Sequence, residues 1–114
     1  MFKYIKKVSF VIVALCISPL SALAQEVWPS KPITLVVNYP AGGAADMVGR
    51  LLAPKMSAAL GQSVVIENRG GGGGQVGAAF VARSKPDGYT LMLDGAGYAI
   101  NPILFPKLPY DAPK

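Results

Sequence analysis

The sequence predicts an α/β fold, a three-layer βαβαβ arrangement around a parallel sheet. Three observations carry this. Short, β-branched apolar runs recur at Ile33–Val37, Ser63–Glu67 and Tyr89–Leu93. Helix-compatible segments separate them, and every run ends in a turn rich in glycine. Alternating strands and helices with short connections build a parallel sheet, because crossovers between neighbouring strands are right-handed.

Taken in order, residues 1–24 have the layout of a secretory signal peptide. Lys3, Lys6 and Lys7 form a basic start, Val8–Ile17 an apolar stretch, and Ala22-Leu23-Ala24 a small-x-small cleavage site before Gln25. The apolar stretch is short for a spanning helix, which needs roughly 20 residues. Cys16 follows Leu15, where a lipoprotein signal would carry a small residue, so soluble export to the periplasm is expected. Three of the 11 Lys and Arg lie in this leader, leaving eight against six acidic residues, a net charge of +2. That balance, without Lys/Arg clusters, gives no electrostatic footprint for nucleic acid. The one cysteine leaves with the leader, which excludes a disulfide framework.

Trp28-Pro29-Ser30-Lys31-Pro32 is a stiff extended lead-in. Ile33–Val37 is apolar almost throughout, as suits a strand covered on both faces. Tyr39-Pro-Ala-Gly-Gly-Ala-Ala-Asp46 then turns the chain into a helix. Its Gly42-Gly43 pair permits a tight turn, and the first helical N–H groups carry partial positive charge, a seat for a carboxylate or phosphate. Met47, Val48, Leu51, Leu52, Met56, Ala59 and Leu60 recur at helical spacing and predict one apolar face. Pro54 is expected to kink this helix and Gly61 to end it.

The second strand runs into Asn68-Arg69 and five glycines, Gly70–Gly74, before a small-residue helix over Gln75–Ala82. Lys85-Pro86-Asp87-Gly88 signals a turn. After the third strand come Asp94-Gly95-Ala96-Gly97 and a short apolar segment, Tyr98–Phe105. Residues 25–105 therefore read as one partial α/β lobe, and 106–114 as an extended, proline-punctuated segment leading towards a missing remainder. In open parallel sheets ligands bind outside the carboxyl ends of the strands. All three glycine-bearing turns fall on that edge.

Gly72-Gly73-Gly74-Gln75-Val76-Gly77 satisfies the dinucleotide pattern G-x-G-x-x-G, with Asp94 20 residues beyond Gly74. A run of five glycines meets that pattern by low complexity, and it opens the second βα unit rather than the first. A turn that lets backbone approach another element is the better reading. With no histidine and no cysteine beyond the leader, Ser-His, Cys-His and His-ligated metal sites are excluded. The acids are scattered, so no enzyme, no metal and no cofactor are expected. Asp46 suits the first helical turn as a partner for free N–H groups. Tyr39 reads as a half-buried aromatic at a strand end, Asn101 before Pro102 as a capping or turn residue, and Arg69 as ion-paired beside Glu67.

A resemblance spans most of residues 25–114. Trp28-Pro-Ser-Lys-Pro-Ile-Thr-Leu-Val-Val, Tyr39-Pro-Ala-Gly-Gly-Ala-Ala-Asp46, Leu51-Leu-Ala-Pro-Lys55, Leu60-Gly-Gln, Val64-Val-Ile-Glu-Asn-Arg69, Pro86-Asp-Gly-Tyr-Thr-Leu91, Asn101-Pro and Phe105-Pro-Lys-Leu-Pro-Tyr-Asp111 occur in order. Together they resemble the Bug family, periplasmic substrate-binding proteins of tripartite tricarboxylate transporters. The resemblance implies the front part of the first lobe of a two-lobed, periplasmic-binding-protein-like fold that closes on a small organic acid and delivers it to membrane transporter subunits as a monomer. It implies ligand contacts from the turns after the first and third strands: Tyr39, Pro40, Ala41, Gly42, Gly43, Ala44 and Asp46, with Asp94, Gly95, Ala96 and Tyr98.

Three positions depart from the family pattern. Gly70 stands where proline is common, Asn38 where a proline or small residue is often found, and Asp94 where small neutral or hydroxyl residues are usual. An extra carboxylate there disfavours a plain anion and favours a ligand bearing an amine or amide. The competing readings are an exported interaction or sensor module, a nucleotide-binding oxidoreductase using Gly72–Gly77, and an inactive truncated product.

Overall fold

The computed structural model describes residues 27–111; the expected leader lies outside them. Strand β1 (Ile33–Val37) is central. Strands β2 (Val64–Asn68) and β3 (Thr90–Leu93) pair with it in parallel, in the order β2-β1-β3. Ile33 lies opposite Val64 and Val37 opposite Asn68; on the other side Leu35 lies opposite Leu91 and Val37 opposite Leu93. β2 is displaced one residue forward of its predicted span, since Ser63 offers only its carbonyl, to the Ile33 N–H at 2.8 Å. Likewise Tyr89 gives its carbonyl to the Thr34 N–H before β3 begins.

Side chains alternate across a strand, so Ile33, Leu35 and Val37 share one face with Val64, Ile66, Leu91 and Leu93. Helix α1 (Ala44–Leu60) covers that face. Ile33, Leu35, Ala53 and Val64 are the buried centre of this core, and Met56, Leu60 and Ile66 pack against it. Burying one such large side chain fully stabilises the fold by about 1.5–3 kcal/mol relative to exposure. On the opposite face Val36 is buried beneath helix α2 (Gln75–Ala82), whose own Ala78 and Ala79 are buried as well. The sheet is thus sandwiched, which explains why β1 reads as apolar without alternation.

The predicted apolar face of α1 differs in an instructive way. The residues turned to the sheet are Asp46, Gly49 and Ala53, whereas Met47 is 60% and Leu51 71% exposed. Small residues win the inner positions because the helix lies close. A methyl group at Gly49 would come within 3.2 Å of Val37 and 3.3 Å of Leu93. Of the predicted face, Met56 and Leu60 pack against the core, whereas Met47, Val48, Leu51 and Leu52 form a neighbouring stripe that faces outward in the described residues. The helix runs unbroken through Pro54 and ends at Gly61, whose left-handed backbone (φ 68°) returns its N–H to the Ser57 carbonyl. The Ser57 hydroxyl donates to the Ala53 carbonyl and accepts the Val64 N–H, both at 2.8 Å, which ties the helix end to the start of β2.

The segment after β3 is helical as well, α3 (Gly97–Leu104), and from Phe105 to Asp111 the chain has no regular secondary structure. At the amino end of the sheet, Tyr89 anchors the lead-in. Its hydroxyl accepts the Ser30 N–H at 2.9 Å, Lys31 lies 4.4 Å over its ring, and Trp28 packs against it. That leaves the carboxyl edge to the three turns.

Candidate functional site

Asp46 organises the first turn. It is 2% exposed and both its oxygens are used. One accepts Arg50 Nε at 2.9 Å and the Gly42 N–H at 2.8 Å; the other accepts Asn68 Nδ2 at 3.0 Å. Asn68 also reaches the Tyr39 carbonyl at 3.3 Å. These bonds, with that from Arg50 foremost and those from Gly42 and Asn68 after it, hold the Asp46 carboxyl down to about 2. Asp46 therefore works from beneath the turn, fixing its shape. Gly42 sits at φ 83°, a conformation that favours glycine, and Gly43 starts the helix with no side-chain cap. The first helical bond is that from the Met47 N–H to the Gly43 carbonyl at 3.0 Å. The amides of Ala44, Ala45 and Asp46 precede it and have no carbonyl behind them within the helix.

The second turn is built from glycines with positive φ, from Gly71 (130°) to Gly74 (91°), closing a short 3-10 turn over Gly72–Gly74. Two asparagines hold it. Asn38, fully buried, donates to the Gly74 carbonyl at 3.2 Å, and Asn101, 5% exposed, donates to the Gly73 carbonyl at 3.0 Å. Gly77 lies directly against Asn38: an added methyl would overlap the Asn38 Cβ and sit 2.9 Å from its Cα. At Gly70 a methyl would come 3.0 Å from the Pro40 nitrogen. The glycine run thus serves close approach between the first and second turns. Asn101, read from sequence as a capping residue, is instead an interior strut. Arg69 donates to Glu67 at 2.7 Å, and its guanidinium lies 3.6 Å over the Phe80 ring.

In the third turn, Asp94 accepts the Gly95 N–H at 2.6 Å. The Tyr39 hydroxyl lies at this turn too. Burial pushes its ionisation up, the Asp94 charge and a hydrogen bond to Asp94 add to that, and the Gly97 N–H opposes it. Tyr39 thus reaches from the first turn to the third, where a methyl added at Gly97 would come 2.8 Å from its hydroxyl. A cavity of about 220 Å³ opens between them, lined by Ala44, Ala45, Val48, Leu93, Asp94 and Gly95.

Of the residues singled out in the sequence, Ala44, Asp94 and Gly95 line this cavity. Pro40, Ala41, Gly42 and Gly43 form the exposed turn that leads into its helical wall, and Ala96 caps α3, accepting the Ile100 N–H at 3.0 Å. Tyr98 stacks on Tyr110, centroids 5.8 Å apart, and is not part of the lining. Asn38, Asn68 and Val48 were missed as site-building residues. The lone polar residues after apolar strands, Asn38 and Asn68, were the available signal. Among the described residues no three Cys, His, Asp or Glu side chains come together to hold a metal ion.

A three-stranded parallel sheet with helices on both faces and glycine-bearing turns at its carboxyl edge is part of a periplasmic-binding-protein-like fold. A profile of the tripartite tricarboxylate transporter family receptor matches residues 48–114. The chain belongs to this family. It is 48% identical over 100 residues to a UPF0065 protein of the TAR-I ttuE-ttuC' intergenic region of Agrobacterium vitis, covering 88% of this chain and 29% of that one. It is 40% identical over 103 residues to Protein BugT of Bordetella pertussis, covering 89% and 31%.

Among solved structures, MatC of Rhodopseudomonas palustris with bound malate is similar at a TM-score of 0.62 and 42% identity, covering 73% of this chain and 29% of that one. An R. palustris protein solved with adipate gives 0.69 and 40%, covering 74% and 28%. The periplasmic binding protein BugD gives 0.56 and 48%, covering 57% and 22%. The chain spans about three-tenths of the length of the curated relatives it matches.

Proposed function

We infer that this chain supplies the carboxylate-holding turns of a periplasmic solute-binding protein, which captures a small organic acid as a monomer and passes it to a membrane transporter. The observation that carries this reading is the uncapped start of α1 at the carboxyl edge of the sheet, beside the Asp94 turn. Backbone amides at a helix start bind a carboxylate through hydrogen bonds and the helix dipole, with no reactive side chain. The relatives solved with malate and adipate support the ligand class, and the family supports the transporter partner. The basic, apolar and small-residue order of residues 1–24 supports export, with cleavage after Ala24.

The test is a titration of the full-length protein, as its gene encodes it, against a panel of mono- and dicarboxylates and their amino derivatives. Calorimetry or thermal unfolding gives the readout. A ligand at 100 times its Kd stabilises the folded state by about 2.7 kcal/mol, an easily resolved rise in the melting midpoint. No stabilisation by any acid in the panel contradicts the reading.

A further inference from the structure

We propose that a groove at the amino end of the sheet, on the face covered by α2, is a docking surface for an extended acidic segment of a partner protein. The turns assigned to solute lie at the carboxyl edge, the opposite end of the sheet, so the two surfaces do not compete.

The groove exists because α2 is short. Its eight residues span about 12 Å and the five of β1 about 16 Å, so the helix leaves the amino end of its face uncovered. Thr34 and Thr90, paired across β1 and β3, line the space it leaves. Phe80 from the last turn of α2 and Tyr89 add aromatic walls, and the groove measures about 510 Å³. Three separate segments bring a cation to it: Lys31 from the lead-in, Arg83 from the end of α2, and Lys85 from the turn before β3. All three are exposed.

Charge singles this groove out. Among the described residues the ion pairs are those of Arg50 with Asp46 and Arg69 with Glu67, so Lys31, Arg83 and Lys85 have no acidic partner there. The one carboxylate in the lining, Asp87, accepts the Tyr89 N–H at 3.0 Å. Three cations against one anion leave a net charge of +2 in the groove. Arg83 alone would be explained by the helix end it follows, whose carbonyls carry partial negative charge. That account does not reach Lys31 or Lys85, which lie outside the helix. Lys31 is also held in place, its Nζ 4.4 Å over the Tyr89 ring, so it loses less freedom on meeting an anion. Shape decides between acidic partners. A bilayer surface is flat and meets exposed cations from outside, whereas an extended chain enters a groove, setting carboxylates against the cations and its aliphatic stems against Phe80 and Tyr89. The hydroxyls of Thr34 and Thr90 offer hydrogen-bond donors to the same carboxylates.

The experiment titrates a dye-labelled oligoglutamate peptide, a matched oligoglutamine peptide, inorganic phosphate and phosphatidylglycerol vesicles into the full-length protein at low salt. Two double variants accompany the wild type. Arg83→Gln with Lys85→Gln neutralises the groove. Lys55→Gln with Lys107→Gln removes the same charge from exposed positions outside it. Unchanged thermal midpoints verify folding in both. Oligoglutamate is expected to bind and oligoglutamine not, with binding that weakens as salt is added. The groove variant is expected to weaken it by about tenfold or more, and the control variant by less than about twofold. No binding of oligoglutamate overturns the proposal. Equal losses in the two variants also overturn it, because net charge and not the groove would then attract the peptide. Tighter binding to the vesicles with the same sensitivity to Arg83 and Lys85 assigns the surface to lipid instead, and phosphate binding as tight as the peptide's reduces it to a small-anion site. Binding of the carboxylate panel at the other end of the sheet is expected to be the same in all three proteins, so failure of either reading is seen separately from the other.

Discussion

At the scale of single residues, Asp46 shows how a carboxylate at a binding edge can serve the turn without touching the ligand. Its acid strength is set by Arg50, Gly42 and Asn68 in the folded chain and returns to the ordinary 3.8 when they are lost. A carboxyl whose ionisation is lowered by folding stabilises the fold wherever it is charged in both states. That contribution is complete above the ordinary value and is lost as the pH falls from about 3.8 towards about 2. Denaturant unfolding of wild type and Asp46→Asn between pH 6 and pH 2 is therefore expected to show a stability difference that shrinks through this window. A difference that stays constant across the window contradicts the bonding scheme. The sequence placed Asp46 in the first turn of a helix, but not beneath Asn68. That contact joins β2 to α1 and depends on the register of the sheet, which a single sequence does not reveal.

At the scale of elements, β1, α2 and the carboxyl-edge turns were legible because their signals are local: β-branched runs, small-residue periodicity and glycine. The inner face of α1 was legible only at its carboxyl end, where Met56 and Leu60 pack against the core. Its pattern of large apolar residues marks a stripe, but the distance between helix and sheet decides which stripe packs, and Gly49 and Ala53 set that distance. The second turn was legible only as flexible glycine. Its order comes from Asn38 and Asn101, two side chains brought to it from just after β1 and from α3. Gly77, at the seam of α2 and Asn38, provides the test at this scale. Gly77→Ala is expected to gain about 1 kcal/mol of helix propensity and lose more to overlap with a fully buried side chain, since overpacking costs about 1–3 kcal/mol and occasionally more. Net destabilisation in urea unfolding is the expected result. A variant as stable as wild type would show that Asn38 can move aside, and that the glycine is not held there by packing.

At the scale of the whole molecule, the cavity is walled by α1 and the Asp94 turn alone, and the chain spans about three-tenths of its curated relatives. Strong ligand sites bury most of the ligand surface. A carboxylate resting on one wall keeps much of its hydration and little of the attraction that a closed site would give. The 114-residue chain alone is expected to bind any acid of the panel no more tightly than about 1 mM, roughly −4 kcal/mol. Micromolar binding by that chain in calorimetry would mean that these turns suffice without an opposing wall. The reading from sequence reached the fold and the edge because parallel α/β topology itself directs ligands to strand ends. Of the cavity lining it reached Ala44, Asp94 and Gly95 but not Val48 and Leu93, which line it by position rather than by chemistry.

The central claim is that the turns after β1 and β3 hold the ligand through backbone amides. Labelling glycine and alanine with nitrogen-15 in the full-length protein reports on these amides directly, because Gly42, Gly43, Ala44, Ala45, Gly95 and Ala96 all carry the label. On addition of the tightest-binding acid from the panel, the largest amide shifts are predicted at Gly43–Ala45 and Gly95–Ala96, with those of Gly61 and Gly88, away from the carboxyl edge, unchanged. Saturable binding that leaves Gly43–Ala45 unshifted and moves other glycines and alanines instead would contradict it.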